Sequence, residues 1–134
     1  MVLVAGGSTD QYANSPSTRT WLYDPRRDVW SATDGLLVPR VDASAIRLAN
    51  GQVLLVGGFQ RKVDKGGGVS DYVSTSCELY DSASGHWATT GSLPTGAGFT
   101  TLVRLQDGTV LALSGTLTTP QRYYPASQKW TAAE

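Results

Sequence analysis

Val53-Leu54-Leu55-Val56-Gly57-Gly58 is an apolar run that ends in a glycine pair, and it decides the fold because it recurs. Related runs occupy residues 2–7 (Val-Leu-Val-Ala-Gly-Gly) and 110–115 (Val-Leu-Ala-Leu-Ser-Gly). Each run is followed by a tyrosine, with a tryptophan seven residues later: Tyr23/Trp30, Tyr80/Trp87 and Tyr123/Trp130. The first two tryptophans each precede the next apolar run by 23 residues. Self-similarity at about fifty residues indicates a repeat architecture.

A strand, a tight turn and a second strand are predicted around two of the runs. The first set is 43–49, Asn50-Gly51 and 52–58, and the second is 100–106, Asp107-Gly108 and 109–115. Asn-Gly and Asp-Gly are typical of two-residue type I′ hairpins, in which both central residues have positive φ. Third strands carry the tyrosines (20–24, 76–81 and 121–124), and a fourth strand begins near each tryptophan. This pattern predicts an all-β chain of eleven antiparallel strands, with one strand missing from the first unit and no helix longer than two turns between 43 and 115.

The repeated residues are interpreted as structural. A catalytic residue is normally unique within an array of repeats, whereas repetition is typical of packing. The aromatic pairs are predicted to fill the space between adjacent units, each ring burying on the order of 150–250 Å². The glycines are predicted to allow close packing or positive φ at the strand ends. These positions are Gly6, Gly7, Tyr23, Trp30, Gly57, Gly58, Tyr80, Trp87, Tyr123 and Trp130.

One connection varies in length between the units. It spans 16 residues from Gly7 to Tyr23, 22 from Gly58 to Tyr80 and 8 from Gly115 to Tyr123. In repeat folds such insertions form loops on one face, often the binding face. We therefore predict recognition through loops 8–19 and 59–75, with idle surface loops as the alternative. The candidate binding residues are Tyr12, Arg19, Phe59, Arg61, Lys62 and Tyr72.

Composition limits the possible partners. Eleven basic and eleven acidic residues cancel, so there is no electrostatic case for binding nucleic acid or an anionic membrane. No apolar run approaches the roughly 20 residues that would span a bilayer. Only 16% of the residues are charged, which suits a module whose flanks are covered. The single cysteine, Cys77, excludes an intrachain disulfide and leaves the cellular compartment undetermined.

The few chemically reactive residues do not form a recognisable site. His86 and Cys77 offer two ligands at most, whereas a zinc site needs about four, so packing roles are predicted for both. The segment Lys65-Gly66-Gly67-Gly68 lacks the order of a phosphate-binding loop, in which the lysine follows the glycines and a helix comes next. No catalytic residue, metal site or cofactor is predicted.

The sequence pattern of each unit resembles the kelch repeat, as found in bacterial kelch-like proteins and the propeller of galactose oxidase. That pattern is an apolar run, a glycine pair, a variable loop, a tyrosine, a tryptophan and a link that contains Leu and Pro. The resemblance implies β-propeller blades at 1–42 (lacking its first strand), 43–98 and 99–134. Kelch propellers usually have six or seven blades, so these 2.75 blades would form an incomplete ring. Two departures are Ser114-Gly115 in place of a glycine pair and the lack of a counterpart to Arg40 near Gly96. The copper site of galactose oxidase needs two histidines, and this chain has one.

Two functions remain open from the sequence. The first is a non-enzymatic kelch-type interaction module that binds a protein or glycan through the long loops. Its exposed end blades would be covered by self-association, with a homodimer expected, or by other blades of a larger propeller. The alternative is part of a larger propeller enzyme or carbohydrate-binding protein without the copper site.

Overall fold

The computed structural model describes residues 1–11 and 15–133, whose regular secondary structure consists of β-strands. The strands are β1 (Val2–Ala5), β2 (Thr20–Asp24), β3 (Val29–Ala32), β4 (Ser44–Arg47), β5 (Val53–Val56), β6 (Phe59–Val63), β7 (Val69–Val73), β8 (Cys77–Asp81), β9 (His86–Thr89), β10 (Thr101–Arg104), β11 (Val110–Leu113), β12 (Gln121–Tyr124) and β13 (Lys129–Ala132). The predicted all-β class is confirmed. Within the described residues, no helix has the length and hydropathy to cross a membrane.

Eleven of the strands form three antiparallel sheets, which we call N-terminal (β1-β2-β3), middle (β4-β5-β8-β9) and C-terminal (β10-β11-β12-β13). The other two strands, β6 and β7, pair into a separate hairpin between Phe59 and Val73. This hairpin corrects the prediction that 59–75 is a loop. Its tip is closed by Asp64, whose carboxylate accepts hydrogen bonds from the N–H groups of Gly66 and Gly68 at 2.9 and 2.8 Å.

The connections from β4 to β5 and from β10 to β11 correct the predicted type I′ turns. Gly51 and Gly108 have positive φ (90° and 85°), whereas Asn50 and Asp107 do not. The N–H of Gly51 donates to the carbonyl of Leu48 at 3.1 Å, and Leu48 N–H donates to Gln52 at 2.8 Å. This pattern is a type I turn followed by a left-handed glycine, the three-residue hairpin. The Asn-Gly sequence is compatible with this turn, because only the glycine position requires positive φ.

Alternation along the strands gives the middle sheet two buried faces. One face carries Leu55, Tyr80 and Trp87 and shares a cluster with Leu3 and Leu22 of the N-terminal sheet. The other face shares a cluster with the C-terminal sheet and with the link between the two sheets. The buried members of that second cluster are Leu48, Leu54, Val56, Cys77, Leu79, Leu93, Ala97, Val110 and Tyr123. Cross-strand alternation therefore places one apolar layer on each side of the middle sheet.

Each repeated tyrosine lies opposite its tryptophan on the neighbouring strand. Ring centroids are 4.8 Å apart in the N-terminal sheet, 5.1 Å in the middle sheet and 5.0 Å in the C-terminal sheet. Burial differs, however: Trp87 is 7% exposed and Trp30 is 56% exposed. Among the described residues no sheet covers that side of the N-terminal sheet, so the single chain does not show the predicted packing between units for Trp30.

The glycine pairs accommodate the links between sheets. Gly7 N–H donates to the carbonyl of Arg40, and Gly58 N–H donates to that of Ala97, both at 2.9 Å. A Cβ on Gly57 would lie 2.0 Å from the carbonyl oxygen of Ala97, and Gly57 has φ of 62°. This glycine is therefore required by both backbone conformation and space.

Alanine substitution of three glycines separates these two requirements. Gly57→Ala is expected to lower the free energy of unfolding by about 2–5 kcal/mol, since left-handed strain adds to overpacking. Gly7→Ala is expected to cost about 1–2 kcal/mol, because its φ is 91° but its Cβ would meet nothing within 4 Å. Gly115→Ala is the control, with open space and no positive φ. Urea unfolding measures all three, and equal losses at Gly57 and Gly115 would contradict the packing argument.

Candidate recognition surface

The two long connections lie on either side of the link between the N-terminal and middle sheets. Isolated bridges join Ser17 to Arg40 and Val41 to Phe59. In the second bridge, Val41 and Phe59 exchange hydrogen bonds of 2.8 and 3.0 Å. Ser17 of the first predicted recognition loop and Phe59 at the base of the hairpin are therefore bridged to adjacent residues of this link.

An arginine–carboxylate pair lies on the outer part of the hairpin. Arg61 and Asp71 are register partners, and the guanidinium donates to both carboxylate oxygens, at 2.8 and 3.0 Å. The hydrogen bonds from Arg61 lower the pKa of Asp71, with the charge of Arg61 acting in the same direction. The hydrogen bond to Asp71 is the main cause of the raised pKa of Arg61, and the charge of Asp10 acts in the same direction. The pair presents donors and acceptors together at an exposed position.

A buried polar network anchors the hairpin to the middle sheet. Tyr72 donates its hydroxyl hydrogen to Gln60 Oε1 at 2.5 Å. Gln60 Nε2 donates to Ser74 Oγ at 2.6 Å, and Ser74 and Ser76 share a 2.9 Å hydroxyl contact. Gln60 and Ser74 are both buried. The base of the hairpin is therefore fixed while its outer part faces solvent.

The network ends at a buried ion pair. Arg40 Nη2 donates to Glu78 Oε1 at 2.7 Å and to Ser76 Oγ at 2.8 Å. The second carboxylate oxygen of Glu78 accepts the N–H of Leu37 at 2.8 Å, and Arg40 Nη1 donates to the carbonyl of Gly57 at 2.7 Å. The side chains of Arg40 and Glu78 are 0% and 1% exposed. The pair fastens the link to the middle sheet beneath the hairpin.

Two phenylalanines from different segments meet beside the hairpin. The ring centroids of Phe59 and Phe99 are 5.4 Å apart, with an angle of 59° between the ring planes. Gly98 makes room for this contact, since a Cβ there would lie 2.8 Å from the Phe59 ring. Phe59 is half-buried and Phe99 is 74% exposed. An aromatic platform therefore borders the charged pair.

Phe99 also has an unusual backbone conformation. Its φ is 50°, a region in which a bulky side chain is a true outlier. Asp42 precedes the middle sheet at the repeat position equivalent to Phe99 and has φ of 52°. The repeat therefore requires a left-handed residue here, which aspartate tolerates and phenylalanine does not. Phe99 therefore combines an exposed aromatic ring with a backbone conformation that costs free energy.

The structure brings four of the predicted binding residues to this side of the molecule. Phe59, Arg61, Lys62 and Tyr72 all belong to the hairpin. Arg19 is exposed at the end of the 8–19 connection, whereas Tyr12 lies outside the described residues. Sequence reasoning missed Phe99, although aligning it with Asp42 would have revealed an aromatic residue at a position suited to aspartate. The recognition surface, as we use the term, comprises Phe59, Arg61, Asp71 and Phe99, whereas Tyr72 lies with Gln60 on the opposite face of the hairpin.

Cys77 and His86 have different environments. Cys77 is buried in the second cluster as predicted, and desolvation raises the pKa of its thiol to about 11. His86 is exposed and contacts the Asp34 carboxylate through Nδ1, so the prediction that it packs is wrong. It lies at the opposite end of the β8–β9 pair from Cys77. Among residues 1–11 and 15–133, no group of three or more His, Cys, Asp or Glu side chains could hold a metal ion.

Comparison with known proteins identifies the fold alone. No family model matches the chain, and no curated protein matches it. The solved structure of YjhT is similar to this chain with a TM-score of 0.70 and 14% sequence identity. The match covers 99% of this chain and 52% of the YjhT chain, so this chain spans about half the length of that neighbour. The likeness supports an all-β fold of several antiparallel sheets.

Proposed function

We propose that the chain is a set of kelch-type β-propeller blades that acts as a non-enzymatic binding module. Its N-terminal, middle and C-terminal sheets correspond to the blades at 1–42, 43–98 and 99–134. The repeated aromatic pairs and the successive packing of the three sheets support this assignment. The ligand is a protein segment or a glycan, and the end blades are covered by self-association.

Exposed Phe99 carries the binding proposal. Its ring is 74% exposed and its backbone is left-handed, although the equivalent position holds aspartate. Aromatic rings provide large contact area, and the neighbouring Arg61–Asp71 pair supplies polar groups that can fix the orientation of a ligand. The buried hydrogen bond from Gln60 to Ser74 fixes the base of the hairpin that carries Arg61 and Asp71 before a ligand arrives. Such preorganisation lowers the entropy lost on binding.

Phe99→Asn tests whether the surface is adapted to binding at the expense of stability. Asparagine tolerates the left-handed region, so the free energy of unfolding is expected to rise by about 1 kcal/mol. Native gels containing soluble polysaccharides test the glycan ligand, and the variant should lose any retardation shown by the wild type. Leu37→Asn is the control, because Leu37 is 53% exposed and lies outside the recognition surface. A variant that is less stable than the wild type, or is retarded equally, would contradict the proposed role of Phe99.

A second function is favoured by the length of the structural neighbour. The match covers only 52% of the YjhT chain, which leaves room for further blades in a fold of this kind. The chain would then contribute three sheets to a larger propeller enzyme or carbohydrate-binding protein with catalytic groups in other blades. Sequencing the reading frame on both sides distinguishes this proposal, because it requires additional copies of the tyrosine–tryptophan pattern.

A further inference from the structure

The contacts between neighbouring sheets join two unlike faces. We call the face with the tyrosine–tryptophan pair the aromatic face and its opposite the aliphatic face. The aromatic face of the middle sheet, with Tyr80 and Trp87, shares a cluster with Leu3 and Leu22 of the N-terminal sheet. The aromatic face of the C-terminal sheet likewise meets the aliphatic face of the middle sheet. Both internal contacts are therefore aromatic against aliphatic.

The two ends of the chain expose one face of each kind. The N-terminal sheet exposes its aromatic face, where the large apolar residues are Val2, Val4, Trp21 and Trp30. The C-terminal sheet exposes its aliphatic face, where Val103 and Leu113 are 42% and 38% exposed. Val56, the repeat equivalent of Leu113, is fully buried in the internal contact. Each exposed face is thus the counterpart of a surface that another sheet covers inside the chain.

Indole hydrogen bonds distinguish the covered aromatic faces from the exposed one. Trp87 Nε1 donates to the carbonyl of Asp34 at 3.0 Å, and Trp130 Nε1 donates to that of Gly91 at 2.9 Å. Each acceptor lies just after the last strand of the preceding sheet, Asp34 after β3 and Gly91 after β9. Trp30 Nε1 has no such acceptor among the described residues. A preceding sheet would supply both the apolar cover and a carbonyl acceptor.

The tyrosine hydroxyl contacts indicate which sheet that would be. Tyr80 and Tyr123 bond to Thr33 and Thr90, each three residues after the tryptophan of the preceding sheet. The same position after Trp130 is Ala133, which has no hydroxyl. Tyr23, the residue that would face it, instead donates its hydroxyl hydrogen to Asp28 within its own turn at 2.8 Å. If the C-terminal sheet preceded the N-terminal sheet, Ala133 would offer Tyr23 no hydroxyl partner. Tyr23 does not need one, because Asp28 already accepts its hydroxyl hydrogen.

Arg122 adds a second complementary feature. It occupies the position of Leu79 on the aliphatic face of the C-terminal sheet, where it also contacts Asp107 and lies over the ring of Tyr124. In the middle sheet, Leu79 belongs to the cluster containing Tyr123 and Trp130. A guanidinium at this position would face the exposed Tyr23–Trp30 pair, where cation–π attraction is favourable. Arg122 therefore gives the aliphatic end face a cation that can contact the aromatic rings of the other end face.

We propose that two copies of the chain join head to tail, with the aliphatic face of each C-terminal sheet on the aromatic face of the partner's N-terminal sheet. The inference rests on the self-association included in the proposed function and specifies its geometry. Because the two faces lie at opposite ends, two copies make two identical contacts and close a ring of six sheets. A twofold axis relates the two copies in this closed ring. Both end faces of each copy are then covered, and no end face remains exposed for the addition of further copies.

A mixing experiment tests this arrangement. Trp30→Asp disables the aromatic face, and Leu113→Asp disables the aliphatic face. Each variant alone is expected to have the mass of one chain, 14.2 kDa, by light scattering, whereas the wild type has twice that mass. An equimolar mixture should recover the doubled mass, because one of its two contacts contains only unmodified faces. Its dissociation constant should be on the order of 100-fold or more above that of the wild type, since the benefit of two linked contacts is lost.

Several results would overturn the head-to-tail arrangement. Contact between like faces predicts that one single variant remains dimeric and that mixing restores nothing. A wild-type mass of 14.2 kDa from micromolar to millimolar concentration would exclude a second copy as the cover. Val4→Asp and Val103→Asp serve as a second pair of variants if circular dichroism shows that either first variant is unfolded. Polysaccharide retardation of the same samples is independent, so retained binding without assembly would leave the Phe99 proposal intact.

Discussion

Replacing Glu78 by alanine is expected to lower the free energy of unfolding by about 3–5 kcal/mol. The substitution leaves the guanidinium of Arg40, which is fully buried, without its counter-charge, and breaking one partner of a buried pair is strongly destabilising. It also removes the acceptor of the Leu37 N–H group in the link. Urea unfolding followed by tryptophan fluorescence measures the loss.

The C-terminal sheet indicates that removing both partners is better tolerated. Ala97 and Gln121 occupy the positions equivalent to Arg40 and Glu78, and both are buried. Arg40→Met and Glu78→Gln should therefore be less damaging together than the sum of the single losses, with a coupling of about 1–3 kcal/mol. Asp71→Ala is the control, because it breaks an exposed arginine–carboxylate pair and should leave the urea midpoint unchanged. If the loss of unfolding free energy in the double variant equals the sum of the two single losses, Arg40 and Glu78 stabilise the fold independently and the prediction is wrong.

The strands could be predicted from the repeats because their signals are local. Thr20–Asp24 and Gln121–Tyr124 have the predicted bounds, since a β-rich run bounded by turn residues defines both. The turn at Asn50 could not be assigned, because Asn-Gly fits both hairpin classes. Only the observed pairing of Arg47 with Val53 distinguishes them, and pairing depends on the whole sheet.

The recognition surface was predictable in location but not in composition. Unequal connection lengths indicated the segment that contains Arg61 and Tyr72. The hairpin itself was missed because charged residues interrupt its apolar alternation between Phe59 and Val63. Phe99 was missed for a different reason: its contact with Phe59 joins residues far apart in sequence, and its strained φ has no local sequence signal other than the comparison with Asp42.

Trp87→Ala is expected to cost about 3–5 kcal/mol, the effect of emptying a buried aromatic site. Trp87 packs with Leu36 and Tyr80 and donates its indole hydrogen to the Asp34 carbonyl, so truncation removes a packed ring and a hydrogen bond together. A loss of this size is a large fraction of the stability of an ordinary domain. Thermal melts and urea titrations of the purified chain measure it.

Trp30→Ala is the matched control, because Trp30 occupies the same repeat position and makes the same contact with its tyrosine. With 56% of Trp30 exposed, the loss in the unassembled chain is expected to stay below about 1 kcal/mol. The difference between the two losses in the free energy of unfolding measures how much an adjacent sheet stabilises an otherwise equivalent tyrosine–tryptophan pair. At concentrations that favour assembly, Trp30→Ala should also weaken the dimer, because the same ring would then be covered by the partner's C-terminal sheet. Equal losses from Trp30→Ala and Trp87→Ala at low concentration would mean that the tyrosine–tryptophan contact, rather than burial between sheets, gives the tryptophan its stabilising effect.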